Sequence, residues 1–385
     1  MIGQQRDQPP RPFFNLRGHS ACVTALTLCD SEAPPLLVSS DETGSIIIWD
    51  LSLYRRKVEF ASLVKSKVQS LRIVRLKIEN ALHRILVVQS RDDGVQLFDL
   101  ESMISESSAA DSNLVTTFPS YSSLFSRGDA IQSTKGETVL AYPAASDRNL
   151  VTIRFLEADA KTLASGTAQR REDDPQRSCT VFDLHIKETT GAYHLFAAYE
   201  DGCICAYGFD SQSTISVPVL NTTGLKIDLI TKIDCQFKDF VSAFDVVLAE
   251  TGFKIVAGSP TTDLVFSDGT LNSSDCFSEM NQVKLKKRGV SSIAIRPDLK
   301  LVAVACWDNS VVLYSLKTRK HLVTLRNHSK QVQSILFITK ECLPQQTTAD
   351  ACKELHSQVE NNDQPGTYEM CCAAMDGTIS ITSIY

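Results

Sequence analysis

Seven segments of this chain share one pattern of hydrophobic and polar positions. Each begins with a short apolar run, continues through a tight polar turn that usually contains Asp, and ends with a run in which apolar and polar residues alternate. Alternation with a period of two is typical of a β-strand with one buried face, so each segment predicts a β-hairpin. The segments span residues 36–51, 85–100, 139–156, 195–209, 255–268, 301–316 and 371–385.

A repeated hairpin cannot bury its apolar face alone, so the units must pack on one another and close into a ring. The pattern therefore predicts an all-β protein with a single domain, a seven-bladed WD-repeat β-propeller in which each blade has four strands. Candidate first strands lie between the hairpins, at residues 21–28, 68–78, 179–186, 240–248, 289–298 and 331–338. The predicted blades span approximately residues 17–58, 59–118, 119–158, 178–217, 232–270, 282–325 and 326–385, with residues 12–17 added to the last blade.

The two ends of the chain predict how the ring closes. Residues 378–385 fit a third strand, which leaves the last blade one strand short. Residues 13–19 form a spare strand that leads into Gly18 and His19. Pairing these segments would complete the seventh blade and remove an exposed sheet edge. We therefore predict that the N-terminal strand closes the propeller.

Four polar insertions separate the predicted units. They are rich in Ser, Thr, Asn, Gln and charged residues, so they bury too little apolar area to offset the entropy lost on ordering. We predict that they are loops. They span residues 101–113, 157–178, 210–224 and 341–367.

Composition narrows the class of protein. A chain of 385 residues with 43% hydrophobic and 22% charged residues can bury a substantial core. It has no apolar stretch of about 18 residues, and its start lacks the apolar segment of a signal peptide, so we expect neither membrane insertion nor secretion. The twelve cysteines lie mostly in predicted strands without a secretory spacing, which favours free thiols in a reducing compartment. The net charge of −6 argues against a broad nucleic-acid-binding face.

Motifs of catalytic and metal sites are missing from the sequence. It contains no Gly-x-Ser-x-Gly, no phosphate-binding glycine loop and no His-Glu-x-x-His. Cys203 and Cys205 are not followed by a His or a second Cys pair at metal-ligand spacing. We therefore expect no enzyme activity, no cofactor, no metal and no small-molecule substrate.

Trp49 follows His19 by thirty residues, which is the spacing of a WD repeat. In such blades the His, a strand Ser, a turn Asp and the Trp form a buried polar network, so His19 and Trp49 are predicted to be structural. The position six before Trp49 holds Thr43 instead of Asp, which predicts an incomplete network. At the equivalent turn positions of four other blades the sequence predicts structural aspartates, namely Asp92, Asp201, Asp308 and Asp376.

Partner binding by propellers usually uses the loops at one rim, where side chains from every blade share a surface. In WD propellers the turns between second and third strands lie at that rim beside the inter-blade loops. Trp307 stands out because a large aromatic at an exposed turn is a typical interface anchor, although its ring could instead pack on the neighbouring loop. The candidate protein-interaction rim comprises Arg17, Arg91, Arg148, Tyr199, Glu200, Trp307 and Asn309.

The run Lys284-Leu285-Lys286-Lys287-Arg288 is the densest basic cluster of the chain. A solvated inter-blade loop, a nuclear-import signal and a contact for an acidic partner are the three interpretations open at this point.

Residues 289–337 resemble the ASTRA-associated protein 1 family of fungi, which is similar to the animal guanine-nucleotide-binding protein beta-subunit-like protein 1. Ile-Arg-Pro-Asp, Trp-Asp and His-Ser elements fall there at the family's spacing, and residues 13–26, 197–202 and 373–385 add support. The resemblance implies a non-enzymatic subunit of the nuclear ASTRA assembly, linked to chromatin remodelling and telomere maintenance. It also implies partners among the co-chaperones that mature phosphatidylinositol-3-kinase-related kinases, and no role in G-protein signalling.

Two classes of function follow from the sequence. The first is a protein-interaction scaffold of a nuclear complex, with the cytoplasm as a further possible location. The alternative is a propeller whose central rim reads a modified histone tail or a phosphorylated peptide. Neither class requires direct contact with nucleic acid or membrane.

Overall fold

A computed structural model describes residues 9–29, 35–105, 113–121, 126–169, 180–189, 192–217, 222–249, 252–270, 277–339 and 368–384. Strands dominate this part of the chain, and its helical elements include α1 (Leu100–Ser105) and a 3-10 turn at Ala158–Ala160. The strands form seven antiparallel units of four, which we number as blades 1–7 in chain order. The all-β propeller predicted from the sequence is confirmed.

The first three blades follow one another along the chain. Blade 1 contains β2 (Val23–Cys29), β3 (Leu36–Asp41), β4 (Ile46–Asp50) and β5 (Arg55–Phe60). Blade 2 contains β6 (Val68–Ile78), β7 (Ala81–Ser90), β8 (Gly94–Asp99) and β9 (Leu114–Phe118). Blade 3 contains β10 (Asp129–Gln132), β11 (Thr138–Pro143), β12 (Val151–Leu156) and β13 (Thr162–Ala168).

Blades 4 to 7 complete the ring. Blade 4 contains β14 (Val181–Thr189), β15 (Ala192–Tyr199), β16 (Cys203–Val217) and β17 (Thr222–Asp234). Blade 5 contains β18 (Ala243–Ala249), β19 (Gly252–Gly258), β20 (Asp263–Gly269) and β21 (Phe277–Lys284). Blade 6 contains β22 (Val290–Ile295), β23 (Leu301–Cys306), β24 (Val311–Ser315) and β25 (His321–Leu325). Blade 7 contains β26 (Val332–Thr339), β27 (Tyr368–Ala374), β28 (Thr378–Ile384) and β1 (Phe14–Arg17).

The ring closes as predicted, because the N-terminal strand is the fourth strand of blade 7. β1 pairs antiparallel with β28, with Leu16 opposite Ile379. The Leu16 side chain is buried between blades 7 and 1, in one cluster with Trp49 and Ile381. The first strands of adjacent blades also contact one another all the way around, including β26 with β2 across the seam.

The hydrophobic core is divided into layers between the blades. Each of the seven apolar clusters found in the described residues joins two neighbouring blades, and together they cover every junction of the ring. Strand alternation explains this division, because successive side chains point to opposite faces of a blade. Cys371 packs in the layer with blade 1, whereas its neighbour Cys372 packs in the layer with blade 6. The eight cysteines within the described residues are all buried as thiols rather than joined in disulfides.

Two of the predicted loops contain strands, and these predictions are corrected here. Residues 157–178 include β13, and residues 210–224 include the ends of β16 and β17. A parallel pairing of Ala164 with Thr223 joins the outer edges of blades 3 and 4 into one eight-stranded sheet. In these segments the backbone N–H and C=O groups pair with neighbouring strands. Such pairing does not require apolar side chains, so a prediction based on apolar content misses these strands.

These outer strands also move the limits of three blades. Blade 3 ends with β13, later than the predicted limit at 158, and blades 4 and 5 end with β17 and β21 rather than at 217 and 270. Within the predicted loop 101–113, helix α1 forms because Leu100 and Met103 bury their side chains against blades 1 and 2. The predicted loop 341–367 lies outside the described residues.

Candidate interaction rim and central channel

A buried polar network fixes the rim end of blade 1. His19 Nδ1 lies 2.9 Å from Asp41 Oδ2, and His19 Nε2 lies 2.7 Å from Ser39 Oγ. Trp49 Nε1 donates to the same Ser39 oxygen at 2.7 Å. Because a carboxylate only accepts hydrogen bonds, the proton of neutral His19 resides on Nδ1 and its Nε2 accepts from Ser39. His19 and Trp49 therefore have the structural positions that the sequence predicts.

The network is complete, which corrects the prediction based on Thr43. Asp41, two residues before Thr43, supplies the carboxylate. Its Oδ1 accepts from the Thr43 backbone N–H at 2.9 Å and from the Thr43 hydroxyl at 2.7 Å. Burial alone would raise the pKa of Asp41, but these bonds and the bond with His19 lower that pKa below its ordinary value. Thr43 thus donates to the carboxylate of Asp41, which lies two residues before the position where the sequence pattern predicts an aspartate.

Blade 7 contains a second network of this kind, centred on His328. His328 Nε2 lies 2.8 Å from Ser380 Oγ, and its Nδ1 lies 3.2 Å from Asp376 Oδ2. Asp376 also accepts from the Ser329 backbone N–H at 3.0 Å and from the Thr378 hydroxyl at 2.7 Å. The predicted structural role of Asp376 agrees with these bonds. From the sequence, His328 was used only as part of the His-Ser element of the family resemblance and this network was not predicted, although His328 lies in the loop between blades 6 and 7 as His19 lies before blade 1.

The remaining turn aspartates differ from one another. Asp308 accepts from the backbone N–H and hydroxyl of Ser310, and Asp201 accepts from the Cys203 N–H at 3.3 Å, as structural turn residues do. Asp92, in contrast, is exposed and pairs with Arg91.

The prediction for Asp92 is therefore corrected, because its neighbour Asp93 organises the turn of blade 2. Asp93 Oδ2 accepts from the Lys65 backbone N–H at 3.0 Å and from the Ser90 hydroxyl at 3.1 Å. A tight turn can shift by one residue without changing the hydrophobic pattern of its strands.

Turns and inter-blade loops lie side by side along one rim. In several blades the turn backbone N–H donates to a carbonyl of the adjacent loop: Glu42 to Cys22, Arg91 to Lys67, Glu200 to Thr180, Trp307 to Gly289 and Met375 to Gln331, at 2.9–3.0 Å. These bonds explain why the sequence-predicted rim residues come from both kinds of segment.

Most of the predicted rim residues are accessible. Arg17, Arg91, Arg148, Glu200 and Trp307 are exposed, and Asn309 is half-buried with its amide donating to the Ser329 carbonyl at 2.9 Å. Tyr199 is fully buried, so its assignment to the rim is wrong. Its hydroxyl lies 2.9 Å from the Tyr207 hydroxyl in the layer between blades 3 and 4. As the last residue of β15, Tyr199 follows the alternation of the strand rather than the turn.

The first strands of all seven blades enclose a central channel of about 490 Å³. Three acidic residues line the channel, Asp129 from blade 3, Asp183 from blade 4 and Asp245 from blade 5. Basic side chains accompany them, and Arg127 donates to the Ser291 carbonyl of blade 6 at 3.0 Å. Arg127 lies just before β10 of blade 3, so its hydrogen bond with Ser291 of blade 6 crosses the channel.

Several channel side chains cap the inner edges of neighbouring blades. Asp129 Oδ2 accepts from the Ile186 N–H of blade 4 at 2.8 Å, and Asp245 Oδ2 accepts from the Ile295 N–H of blade 6 at 2.7 Å. The inner strand of each blade has an unpaired edge, and a buried N–H without a partner is costly. These carboxylates therefore connect adjacent blades. The sequence analysis did not single them out, although each is a charged residue within a short apolar strand.

Two of the channel carboxylates, Asp129 and Asp183, have pKa values shifted in opposite directions. Burial would raise the pKa of Asp129, but Arg72, His185, Lys187 and the Ile186 N–H lower it below its ordinary value. For Asp183, burial raises the pKa more than the positive groups of Arg127, His185 and Arg72 lower it, so the pKa lies above its ordinary value. Arg72 Nε donates to Asp129 Oδ1, which gives Asp129 the closer basic partner.

We expect the substitution Asp129→Asn to lower the free energy of unfolding by about 2 kcal/mol at pH 7. Asn can still accept from Ile186, but Arg72 loses its counter-charge, and solvent around the half-exposed Arg72 moderates the cost. Because folding lowers the pKa of Asp129, its contribution is complete above the unfolded pKa of about 3.9 and is lost as the pH falls through the folded pKa.

Urea denaturation of both proteins from pH 7 to pH 3 measures this difference. The matched control is Asp228→Asn, because Asp228 is exposed and its ion pair within the described residues is with Lys226, which is also exposed. A gap between wild type and Asp129→Asn that does not shrink at low pH would contradict the assignment.

Within the described residues, no three His, Cys, Asp or Glu side chains converge to hold a metal ion. None of the helices in the described ranges has the length and hydrophobicity needed to cross a bilayer.

Comparison with known proteins adds family information to this geometry. The family model of the WD domain, G-beta repeat, matches residues 10–50 and 281–315. The chain is 25% identical to guanine nucleotide-binding protein subunit beta-like protein 1 of Mus musculus, over 86% of this chain and 90% of that protein. It is also 25% identical to ASTRA-associated protein 1 of Schizosaccharomyces pombe, over 85% and 93%, and 22% identical to the protein of that name from Aspergillus niger, over 94% and 88%.

A solved structure agrees in fold. The crystal structure of the computationally designed Ika8 protein superposes with a TM-score of 0.54 at 13% identity, over 97% of this chain and all of that one. The WD repeats and the resemblance expected from the sequence are confirmed, and the resemblance extends through most of the ring.

Proposed function

We propose that this seven-bladed WD-repeat propeller is a non-enzymatic scaffold subunit of an ASTRA-type multi-protein assembly in the nucleus. The observation that carries the proposal is the similarity to proteins named ASTRA-associated protein 1, which spans 85% and 94% of this chain in two fungi. The shared region therefore includes most blades of the ring rather than a single repeat. The names of the similar proteins describe no enzymatic activity.

The structure supports a binding role through the distribution of its polar groups. Many buried polar side chains at the rim and in the channel are engaged in holding the blades, as the His19 and Asp129 bonds show. Exposed charged and aromatic side chains at the rim remain accessible to other proteins. A rigid ring with an exposed rim suits simultaneous contacts with several subunits.

Within such an assembly we propose a role in chromatin remodelling, telomere maintenance and maturation of phosphatidylinositol-3-kinase-related kinases. Affinity purification of the tagged full-length protein from nuclear extract, followed by mass spectrometry, tests this role. We expect co-chaperones of kinase maturation and their client kinases among the recovered proteins. A tagged unrelated propeller is the control, and recovery of the same partners with both baits, or of none, would overturn the proposal.

A further inference from the structure

We propose that the rim of blades 5 to 7 is a docking surface for an acidic protein segment that carries one apolar anchor side chain. The surface, which we name the basic sector, consists of Lys286, Lys287, Arg288, Trp307, Arg326 and Lys330. This inference rests on the proposed scaffold function and specifies the chemistry of one of its partners.

The residues of the basic sector belong to three adjoining segments of the rim. The loop after blade 5 contacts the turn of blade 6, because the Trp307 N–H donates to the Gly289 carbonyl at 3.0 Å. That turn contacts the loop after blade 6, because the Asn309 amide donates to the Ser329 carbonyl at 2.9 Å. Arg326 reaches back to Asp308 at 3.3 Å. The basic side chains therefore share one continuous surface.

In the basic sector the acidic side chains are largely buried, whereas the basic side chains are exposed. Asp263, Asp308 and Asp376 are largely buried in their turns, where backbone N–H groups, hydroxyls and basic partners neutralise them. The three consecutive basic residues 286–288 are exposed, as is Lys330, and no ion pair joins any of them to the described part of the chain. The outer surface is thus positive in a protein whose net charge is −6. A negatively charged ligand is complementary to it.

Trp307 provides an apolar contact in the middle of these charges. Its ring packs on Gly289, whose missing side chain makes room for it, since a Cβ there would lie 2.0 Å from Trp307 Cδ2. The Trp307 residue nevertheless remains 46% exposed, and Met375 on the neighbouring turn remains 39% exposed. A preordered aromatic among charged groups is the composition of an interface hot spot. The structure shows the packing of Trp307 on the neighbouring loop, and this packing orients the exposed part of the ring toward a partner in the surface that we propose.

The arrangement favours a peptide over a nucleic acid. Proteins that bind single strands stack successive bases on several aromatic side chains. Trp307 is the one aromatic residue among the six of the basic sector, and its ring already rests on Gly289. A single apolar anchor flanked by Asp or Glu fits one exposed ring edge surrounded by four or more basic groups.

The test uses the purified full-length protein and a fluorescein-labelled peptide of Asp and Glu residues around one central Phe. The sector variant replaces Lys286, Lys287 and Arg288 with Gln. Its matched control replaces Arg55, Arg56 and Lys57, three consecutive basic residues on β5 of blade 1 with exposed side chains, with Gln. A second variant is Trp307→Ala, and urea denaturation verifies that every variant is folded.

We expect fluorescence anisotropy to show saturable binding that weakens when salt is raised from about 0.05 M to about 0.5 M. The sector variant and Trp307→Ala should each raise Kd by about tenfold or more, whereas the β5 control should change Kd by less than about twofold. Peptide binding should also protect Trp307 from acrylamide quenching, which is readable because the other tryptophan, Trp49, is buried.

Three outcomes would overturn the inference: no binding, equal loss in the sector and control variants, or tighter binding of a poly-dT oligonucleotide than of the peptide. The last outcome would reassign the surface to nucleic acid. Failure here is distinguishable from failure of the scaffold proposal, because affinity purification with the sector variant would still recover the assembly through other parts of the ring.

Discussion

The substitution Leu16→Asp is expected to lower the free energy of unfolding by about 4 kcal/mol or more. Leu16 is 2% exposed and contacts the layer between blades 7 and 1. An aspartate there would bury an unpaired charge and remove the apolar contact that holds β1 against β28. Because β1 closes the ring, its release also exposes the edge of β28 and weakens the contact between the first and last blades.

Urea denaturation followed by tryptophan fluorescence measures this effect, since Trp49 lies in the same layer as Leu16. The matched control is Asn15→Asp, which places the same charge on the exposed face of the same strand. We expect the control to change stability by less than about 0.5 kcal/mol. Equal stabilities for the two variants would contradict closure by the N-terminal strand.

The substitution His19→Ala is expected to lower the free energy of unfolding by about 3 kcal/mol at pH 7. It leaves the Asp41 carboxylate, which is 1% exposed, without its ring partner, and it removes the ring nitrogen that lies 2.7 Å from the Ser39 hydroxyl. Because folding lowers the pKa of Asp41, the stabilisation of its carboxylate is complete above the unfolded pKa of about 3.9 and is lost as the pH falls through the folded pKa.

Urea denaturation of wild type and His19→Ala from pH 7 to pH 3 gives both quantities, because only the lower end of this range lies below the unfolded pKa of Asp41, about 3.9. His321→Ala is the control, because His321 is exposed on β25, where its ring hydrogen-bonds to the Thr324 hydroxyl and makes a T-shaped contact with the Tyr314 ring. A cost below about 1 kcal/mol for His19→Ala, or equal costs for both histidines, would show that the network does not stabilise blade 1.

The sequence predicted the ring and its closure because both depend on patterns that repeat along the chain. Alternation in each hairpin identified the second and third strands of the blades, and the missing strand at one end matched the spare strand at the other. Outer strands such as β13 escaped detection because their residues are small or polar and their stability comes from main-chain pairing.

The rim was predicted less well, because turns tolerate shifts of one or two residues that leave the strands unchanged. Asp41 rather than Thr43, and Asp93 rather than Asp92, supply the carboxylates. Tyr199 was placed at the surface because it stands next to a turn, yet the direction of its side chain is set by the pairing of β15 with β16. The contacts across the channel, such as Arg127 with Ser291, join residues of blades 3 and 6, and no local pattern encodes them.

Closure by β1 has a consequence for biosynthesis. β1 precedes blade 1 along the chain and its partner β28 belongs to blade 7, so the ribosome makes blades 1 to 6 between the two partners of the seam. Blades 1 to 6 can form while the nascent chain grows, but β1 must wait without its partner until blade 7 has been made. Throughout that interval the apolar surface of blade 1 that faces the seam stays open to solvent, and a molecular chaperone would shield it best if it acts at this stage.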